Sequence, residues 1–212
     1  GEHPGRLHVL PLDVADPKSR ASLLHDLPLV LGDDDDGAPG KLDLLINNAG
    51  VLHSGERFGH VEQALLEDSV RTNAIGPFLL AQALAPLLRD GDGDRNVVDG
   101  AGGAVNSLPD TRSVDRTPGP VDDIPPCRAV IANISSKLGS IANTTRFGTP
   151  SYDISKAAQN MGSVLLARAL GERGIVVLAL HPGWVQTEMG GPQAQVAPAD
   201  AVAGLLRVID AA

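Results

Sequence analysis

Tyr152 and Lys156 are the residues of this chain whose types and spacing are best suited to proton transfer. They stand four positions apart in the segment SYDISK, at the start of a predicted helix, and this spacing places both on one helix face. An ammonium beside a phenol favours the phenolate and lowers its pKa from about 10 toward neutrality. A tyrosine tuned in this way exchanges a proton near physiological pH. Tyr152 is the only tyrosine of the chain, although the same spacing also occurs on ordinary amphipathic helices.

Hydroxyl groups follow one of the apolar runs. The run AVIANI, at 129–134, is followed directly by Ser135 and Ser136. Ligands of doubly wound sheets meet the carboxyl ends of the strands, so these hydroxyls are placed to hydrogen-bond a substrate oxygen. The alternative is that the serines only terminate a strand.

Two further loops follow apolar runs. The run LDLLIN leads into Asn48, Ala49 and Gly50, where the glycine permits close backbone approach and the small alanine leaves room for a flat ligand. The run IVVLAL leads into the segment PGWVQT, which offers the hydroxyl and the backbone amide of Thr187 to a ligand. Taken alone, each loop is equally well explained as a plain turn.

The elements that must position these residues alternate along the chain. Strands are predicted at 7–12, 42–47, 129–134 and 175–180, and helices at 17–27, 62–89, 151–170 and 198–212. Pro77 should kink or split the second helix. The third helix is predicted to face the core with Ala157, Met161, Val164, Leu165 and Ala169.

This alternation predicts a single α/β domain over residues 1–212, built on one doubly wound parallel sheet with helices on both sides. Irregular insertions are expected at about 32–40, where the segment GDDDDGAPG is acidic, and at about 90–126. Because a parallel sheet collects the carboxyl ends of its strands on one edge, all the motifs above are expected to meet there.

Composition excludes several other classes of protein. The 212 residues are 42% hydrophobic, so the chain can bury a core, and the net charge of −9 argues against binding to nucleic acid or an anionic membrane. No apolar run is long enough to span a bilayer, and the opening residues lack the apolar region of a secretory signal, so a cytoplasmic protein is expected. The six histidines show no ligand spacing, and no metal site is expected.

Taken in order, the motifs resemble those of the short-chain dehydrogenase/reductase family. The matching segments are LDV (12–14), NNAG (47–50), TNAIGPF (72–78), NISSKLGS (133–140), YDISK (152–156) and PGWVQT (182–187). Within the family, SSKLGSI and PGWVQTEMGG are similar to the carbonyl reductases of the Sniffer and C-factor type. The resemblance implies a Rossmann-like fold and an oxidoreductase that reduces a carbonyl, or oxidises a secondary alcohol, with NADP or NAD.

The resemblance also implies a role for each matching residue. Tyr152 would transfer the proton, Ser136 would hold the substrate oxygen (with Ser135 as the fallback), Lys156 would lower the pKa of the tyrosine and bind the nicotinamide ribose, and Asn73 would hold a relaying water. The cofactor-binding residues would be Tyr152 and Lys156 together with Asp13, Val14, Asn48, Ala49, Gly50, Pro182, Gly183, Val185 and Thr187. Related enzymes often pair through two of their helices, so a homodimer or homotetramer is expected.

The chain departs from the family pattern at its ends. It begins at Gly1 and shows no TGxxxGxG turn, so the resemblance implies an N-terminally truncated member that lacks the first βαβ segment and the last strand. The run at 42–47 would then expose an apolar edge, and the run at 7–12 would either pair with it directly or lie loosely. The alternative function is a non-catalytic remnant or interaction module that cannot bind the dinucleotide.

Overall fold

The sheet of this protein is parallel and has three strands in the part of the chain that the structure describes. A computed structural model describes residues 7–33, 37–91 and 128–212. The strands β1 (Leu44–Asn47), β2 (Val130–Ile134) and β3 (Val176–Leu180) lie in the order β1-β2-β3. In this register Asn47 lies opposite Asn133, so the carboxyl ends of β1 and β2 meet at one edge, as predicted.

Helices cover both faces of the sheet, which confirms the predicted fold class. They are α1 (Pro17–Leu31), α2 (Gln63–Val70), α3 (Gly76–Leu84), α4 (Pro150–Leu170) and α5 (Pro198–Asp210), with short 3₁₀ turns at Ala85–Leu87, Lys137–Gly139 and Gly171–Arg173. On one face, Ile131 packs in a cluster with Ala81 of α3 and Leu166 of α4. On the other face, Val130 packs with Ile209 of α5.

The predicted helix at 62–89 is split, as the position of Pro77 led us to expect. A π-helical turn, Arg71–Ile75, separates α2 from α3 and ends directly before Gly76 and Pro77. Proline has no N–H to donate to the carbonyl four residues earlier, which here belongs to Asn73, so a regular helix cannot run through this point. The turn contains Asn73, whose side chain is fully buried.

The prediction of a strand at 7–12 is wrong. These residues form no strand, and the side chains of Leu7 and Val9 are 80% and 86% exposed. An extended segment is stabilised by ladder hydrogen bonds to a neighbouring strand, and β1 pairs only with β2 among the described residues. Instead, the segment leads into the N-terminus of α1, where the Asp16 carboxylate accepts hydrogen bonds from Lys18 N and Ser19 N.

The outer edge of β1 is apolar and open, as expected from the sequence. Leu44 and Ile46 are 38% and 46% exposed. Beside them lies a groove of about 380 Å³ that is walled by α1 and α3 and also lined by Val14, Asn48 and Ala49. Unpaired backbone groups along such an edge are a template for association with another strand.

The predicted core face of α4 is wrong. Met161, Val164, Leu165 and Ala169 are exposed and Ala157 is only half-buried. The buried face instead carries six polar or amphipathic side chains followed by two leucines: Ser151, Tyr152, Ser155, Lys156, Gln159, Ser163, Leu166 and Leu170. A network of buried hydrogen bonds, invisible to hydrophobic periodicity, decides which face turns inward.

The two predicted insertions are described only in part. Within the first, Asp33 forms an isolated antiparallel bridge with Pro39, and residues 34–36 lie outside the described residues. The second lies outside them from residue 92 onward, so its irregular character stays a prediction. Over the described ranges, no helix is both long and apolar enough to cross a membrane.

Candidate active site

The Tyr152 side chain lies in the first turn of α4 and is 9% exposed. Pro150 occupies the first helical position, where its missing N–H costs nothing. The Ser136 side chain lies near enough to the Tyr152 phenol to lower its pKa. The Ser136 hydroxyl also accepts a hydrogen bond of 3.1 Å from Leu138 N and thereby caps the 3₁₀ turn that follows β2.

The neighbouring Ser135 has a different partner. Its hydroxyl is buried and donates a hydrogen bond of 2.6 Å to Asn160 Oδ1 on α4. Both serines were candidates from the sequence, and Ser136 is the one that acts on Tyr152. Ser135 instead connects the loop after β2 to α4.

The pKa of Tyr152 is raised, contrary to the expectation that Lys156 lowers it. Burial of the phenol is the main cause, and the nearby Asp153 carboxylate adds to it, while the Ser136 side chain acts in the opposite direction. Lys156 Nζ lies 5.6 Å from the centroid of the Tyr152 ring, over the ring. The phenol is therefore protonated at neutral pH and suited to donate a proton.

Lys156 is buried and held by two acceptors. Its Nζ donates hydrogen bonds to the Ile134 carbonyl (2.8 Å) and to Gln159 Oε1 (2.9 Å), and the side chain is 3% exposed. Burial lowers the pKa of Lys156 to about 8. Because an ammonium has three N–H donors, one remains for a further acceptor.

Asn73 joins the loop after β1 to α4. Its Nδ2 donates to the Val51 carbonyl (2.9 Å) and to Ser155 Oγ (2.8 Å), and its Oδ1 accepts from Val51 N (2.8 Å). A Cβ added at Gly50 would lie 3.3 Å from Asn73 Oδ1 and 3.8 Å from Lys156 Nζ, so the backbone of this loop packs closely on the site. The structure therefore brings Asn73 close to two consecutive residues of α4, Ser155 and Lys156.

The loops that follow the three strands meet at one edge. Ser135 N donates to the Leu180 carbonyl across the ends of β2 and β3. The pKa of His181 is lowered, first by burial and then by the positive charge of Lys137 on the neighbouring loop. These contacts show that the carboxyl ends of the strands converge.

The residues expected to line a cofactor fall into two groups. Val14, Asn48 and Ala49 border the groove beside β1, Asp13 is exposed next to Val14, and Gly50 follows Ala49 and is half-buried. The second group follows β3, where Gly183 has a φ of +90°, which glycine adopts without strain. Its members Pro182, Gly183 and Val185 are half-buried, and Thr187 is exposed.

Two residues of the site were missed by sequence reasoning. Glu56 accepts hydrogen bonds from the backbone N–H (3.2 Å) and the hydroxyl of Ser151, and so caps α4 beside Tyr152. No sequence signal could have linked Glu56 to a residue 95 positions away. Gln159 lies three positions after Lys156, a spacing that places both on one helix face and could have been noticed.

Comparison with known proteins identifies the family. Residues 2–99 and 126–197 match the sequence profile described as short chain dehydrogenase, so the chain belongs to this family. It is 35% identical to C-signal of Myxococcus xanthus over 171 residues, which cover 81% of this chain and 82% of that protein. It is also 29% identical to 1-hydroxy-2-glutathionyl-2-methyl-3-butene dehydrogenase of Rhodococcus sp. (strain AD45), covering 80% of this chain but only 60% of the relative.

Solved structures confirm the Rossmann-like fold. The NADPH-bound carbonyl reductase from chicken fatty liver superposes with a TM-score of 0.73 at 31% identity, covering 99% of this chain and 71% of that one. The carbonyl reductase Sniffer of D. melanogaster superposes with a TM-score of 0.72 at 29% identity, covering 96% and 70%. The resemblance to Sniffer-like members of the family is thus confirmed.

Proposed function

We propose that this protein is an NAD(P)-dependent oxidoreductase that reduces a carbonyl or oxidises a secondary alcohol. The observation that carries the proposal is the Tyr152 phenol, which is buried at the start of α4 near the Ser136 side chain, with Lys156 over its ring. Membership of the short chain dehydrogenase family and the likeness to carbonyl reductases support the same reaction.

The described residues fit the ribose and nicotinamide half of a dinucleotide. Lys156 retains one N–H donor for a ribose hydroxyl, and the turn formed by Asn48, Ala49 and Gly50 leaves its first two residues exposed at the same edge. Pro182 to Thr187 would line the nicotinamide, and Asp13 and Val14 would contact the adenine. When bound, NADP or NAD supplies or accepts the hydride.

The chain's own residues handle the proton. In reduction, the Tyr152 O–H bond breaks and the proton moves to the carbonyl oxygen, while the Ser136 hydroxyl hydrogen-bonds the same oxygen. The raised pKa of the phenol keeps its proton available until charge develops on the substrate. The Lys156 ammonium then stabilises the phenolate that remains. In oxidation, the phenolate takes the proton back from the alcohol.

Substitution of the phenol tests this proposal. Tyr152→Phe should lower the rate of NADPH- or NADH-dependent reduction of a panel of aliphatic and aromatic aldehydes and ketones on the order of 10³-fold, because the proton donor is lost. Circular dichroism should be unchanged, since the ring still fills its place. A Phe variant as active as the wild type would refute the role of Tyr152.

A second candidate function is a non-catalytic interaction module. Among the described residues, the outer edge of β1 has no neighbouring strand and offers a surface for another chain. Titration calorimetry with NADPH separates the two functions. Binding with micromolar affinity favours the enzyme, and the absence of measurable binding favours the module.

We also propose that the protein forms a homodimer or homotetramer. The outer face of α4 exposes a contiguous set of apolar side chains at one helical spacing, which a second copy would cover. Its members are Ile154, Met161, Val164 and Leu165, which are 50–61% exposed.

A further inference from the structure

Gln159 is a buried glutamine beside Lys156 whose side chain is only half satisfied. It is 4% exposed, and its Oε1 accepts the hydrogen bond from Lys156 Nζ at 2.9 Å. Its Nε2 is buried and has no hydrogen-bond partner among the described residues. An unpaired buried amide N–H is unfavourable, and such groups are rare.

The lysine dictates the orientation of this amide. Turning the amide by 180° would place an NH₂ group against an ammonium, so that two donors would face each other. Gln159 borders a small cavity of about 10 Å³ that is lined by apolar residues such as Phe78 and Leu166 and by the polar residues Asn133 and Ser163. Among these groups, the Lys156 ammonium is the one that bonds to the Gln159 side chain, through its carbonyl oxygen.

We propose that Gln159 is a positioning residue for Lys156. Its side-chain carbonyl and the backbone carbonyl of Ile134 hold the ammonium from two directions, one on α4 itself and one at the end of β2. This arrangement leaves a single N–H for an acceptor in the site. The consequence for proton transfer rests on the proposed function, whereas the contact itself does not.

The surroundings of Lys156 make its charge sensitive to this contact. Tyr152 is the titratable group placed directly against it. The Ile134 carbonyl of β2 and Asn73 of the π-helical turn are neutral, and Arg71, the charged residue of that turn, is exposed. Charged groups on the other segments packed against α4 are engaged elsewhere: Glu56 with Ser151, Asp68 of α2 with His53, and Lys137 beside His181. The Gln159 dipole therefore opposes the effect of burial on the ammonium.

Two substitutions should move the titration of Lys156 in opposite directions. Gln159→Met keeps the length of the side chain and removes the acceptor, so the midpoint should fall by about half a pH unit. Gln159→Glu replaces the carbonyl by a carboxylate, so the midpoint should rise by about one pH unit or more. Gln82→Met and Gln82→Glu, at an exposed position of α3, are the matched controls and should leave the midpoint unchanged.

The measurement is the NMR titration of ¹³Cε-labelled lysine in the whole chain, with the Lys156 signal assigned by its loss in Lys156→Met. Opposite shifts in the two variants support a positioning role, because a purely packing role gives no reason for a change of sign. Either variant that folds and titrates like the wild type overturns the proposal, so the failure of one variant to fold leaves the other to decide. No substrate or coenzyme enters the experiment, and its outcome is independent of whether Tyr152→Phe abolishes reduction.

Discussion

The two faces of α4 reverse the pattern of an ordinary amphipathic helix. The inward face presents Ser151, Ser155, Lys156, Gln159 and Ser163, each at most 5% exposed. The outward face presents the half-exposed apolar side chains that we propose as an oligomer surface. Hydrogen bonds hold the side chains of the inward face in place, whereas nothing in the described part of the chain covers the outward face. A prediction from hydrophobicity alone therefore places the apolar face of α4 inside and the polar face outside, which is the reverse of the structure.

The inward face is tolerated because most of its polar groups are paired in chains of hydrogen bonds. Ser155 Oγ accepts from Asn73 and donates to the Tyr152 carbonyl at 2.7 Å. Further along, Ser163 Oγ accepts from Asn133 and donates to the Gln159 carbonyl, both at 2.9 Å. Buried polar groups cost little when satisfied and much when one partner is removed. Substitutions on the two faces should therefore differ sharply in their effect on stability.

The largest loss of stability is expected on substitution of Asn73, which hydrogen-bonds the inward face of α4 to the loop after β1. Asn73→Ala removes three hydrogen bonds, so the buried Ser155 Oγ and the half-buried Val51 backbone groups lose these partners. We expect the free energy of unfolding to fall by about 3 kcal/mol, measured by urea denaturation. The same substitution at the exposed Asn143 is the control and should change it by less than about 0.5 kcal/mol. Similar losses at the two sites would contradict this role of Asn73.

The sequence predicted the elements well and the packing of α4 poorly. β1, β2, β3 and all five helices fall where apolar runs and helical spacing place them, because those patterns are local. The strand expected at 7–12 failed, since a strand also needs a neighbour that local composition does not reveal. The prediction of the inward face of α4 failed because the hydrogen-bond partners of that face, such as Asn73 and Glu56, lie more than 80 residues away in the chain.

The site was predicted from the sequence as a set of residues but not as an electrostatic arrangement. Tyr152, Ser136 and Lys156 do converge at the predicted edge. The predicted direction of the Tyr152 pKa shift was wrong because spacing says nothing about burial, and burial is the main cause of the shift. The roles of the residues expected to line a dinucleotide stay predictions.

A smaller effect, dependent on pH, is expected at Lys156. Its pKa in the folded chain is about 8, below the ordinary 10.5, so above about pH 8 the unfolded chain binds a proton that the folded chain has lost. Stability contributed by this group therefore rises with pH in that window. Relative to Lys156→Met, the wild type should gain about 2 kcal/mol of unfolding free energy between about pH 8 and about pH 9.5.

Urea denaturation at a series of pH values measures this difference. Lys18→Met, at an exposed position of α1, is the matched control and should give a curve parallel to that of the wild type. A difference between wild type and Lys156→Met that stays constant with pH would mean that the buried ammonium titrates as it does in water. The inward face would then be more accessible to solvent than the structure shows.

The smallest effect on stability is expected on the outward face. Leu165 is 51% exposed, so Leu165→Lys should change the unfolding free energy of the monomer by less than about 0.5 kcal/mol. The same change places a charge in the proposed oligomer surface and should shift the sedimentation coefficient toward that of the monomer. Ile141 lies outside α4 and its side chain is 87% exposed. Ile141→Lys therefore controls for the added charge and should leave the sedimentation coefficient unchanged. If Leu165→Lys instead leaves the association unchanged, the apolar face is covered by something other than a second copy, and the contrast between the two faces holds for stability alone.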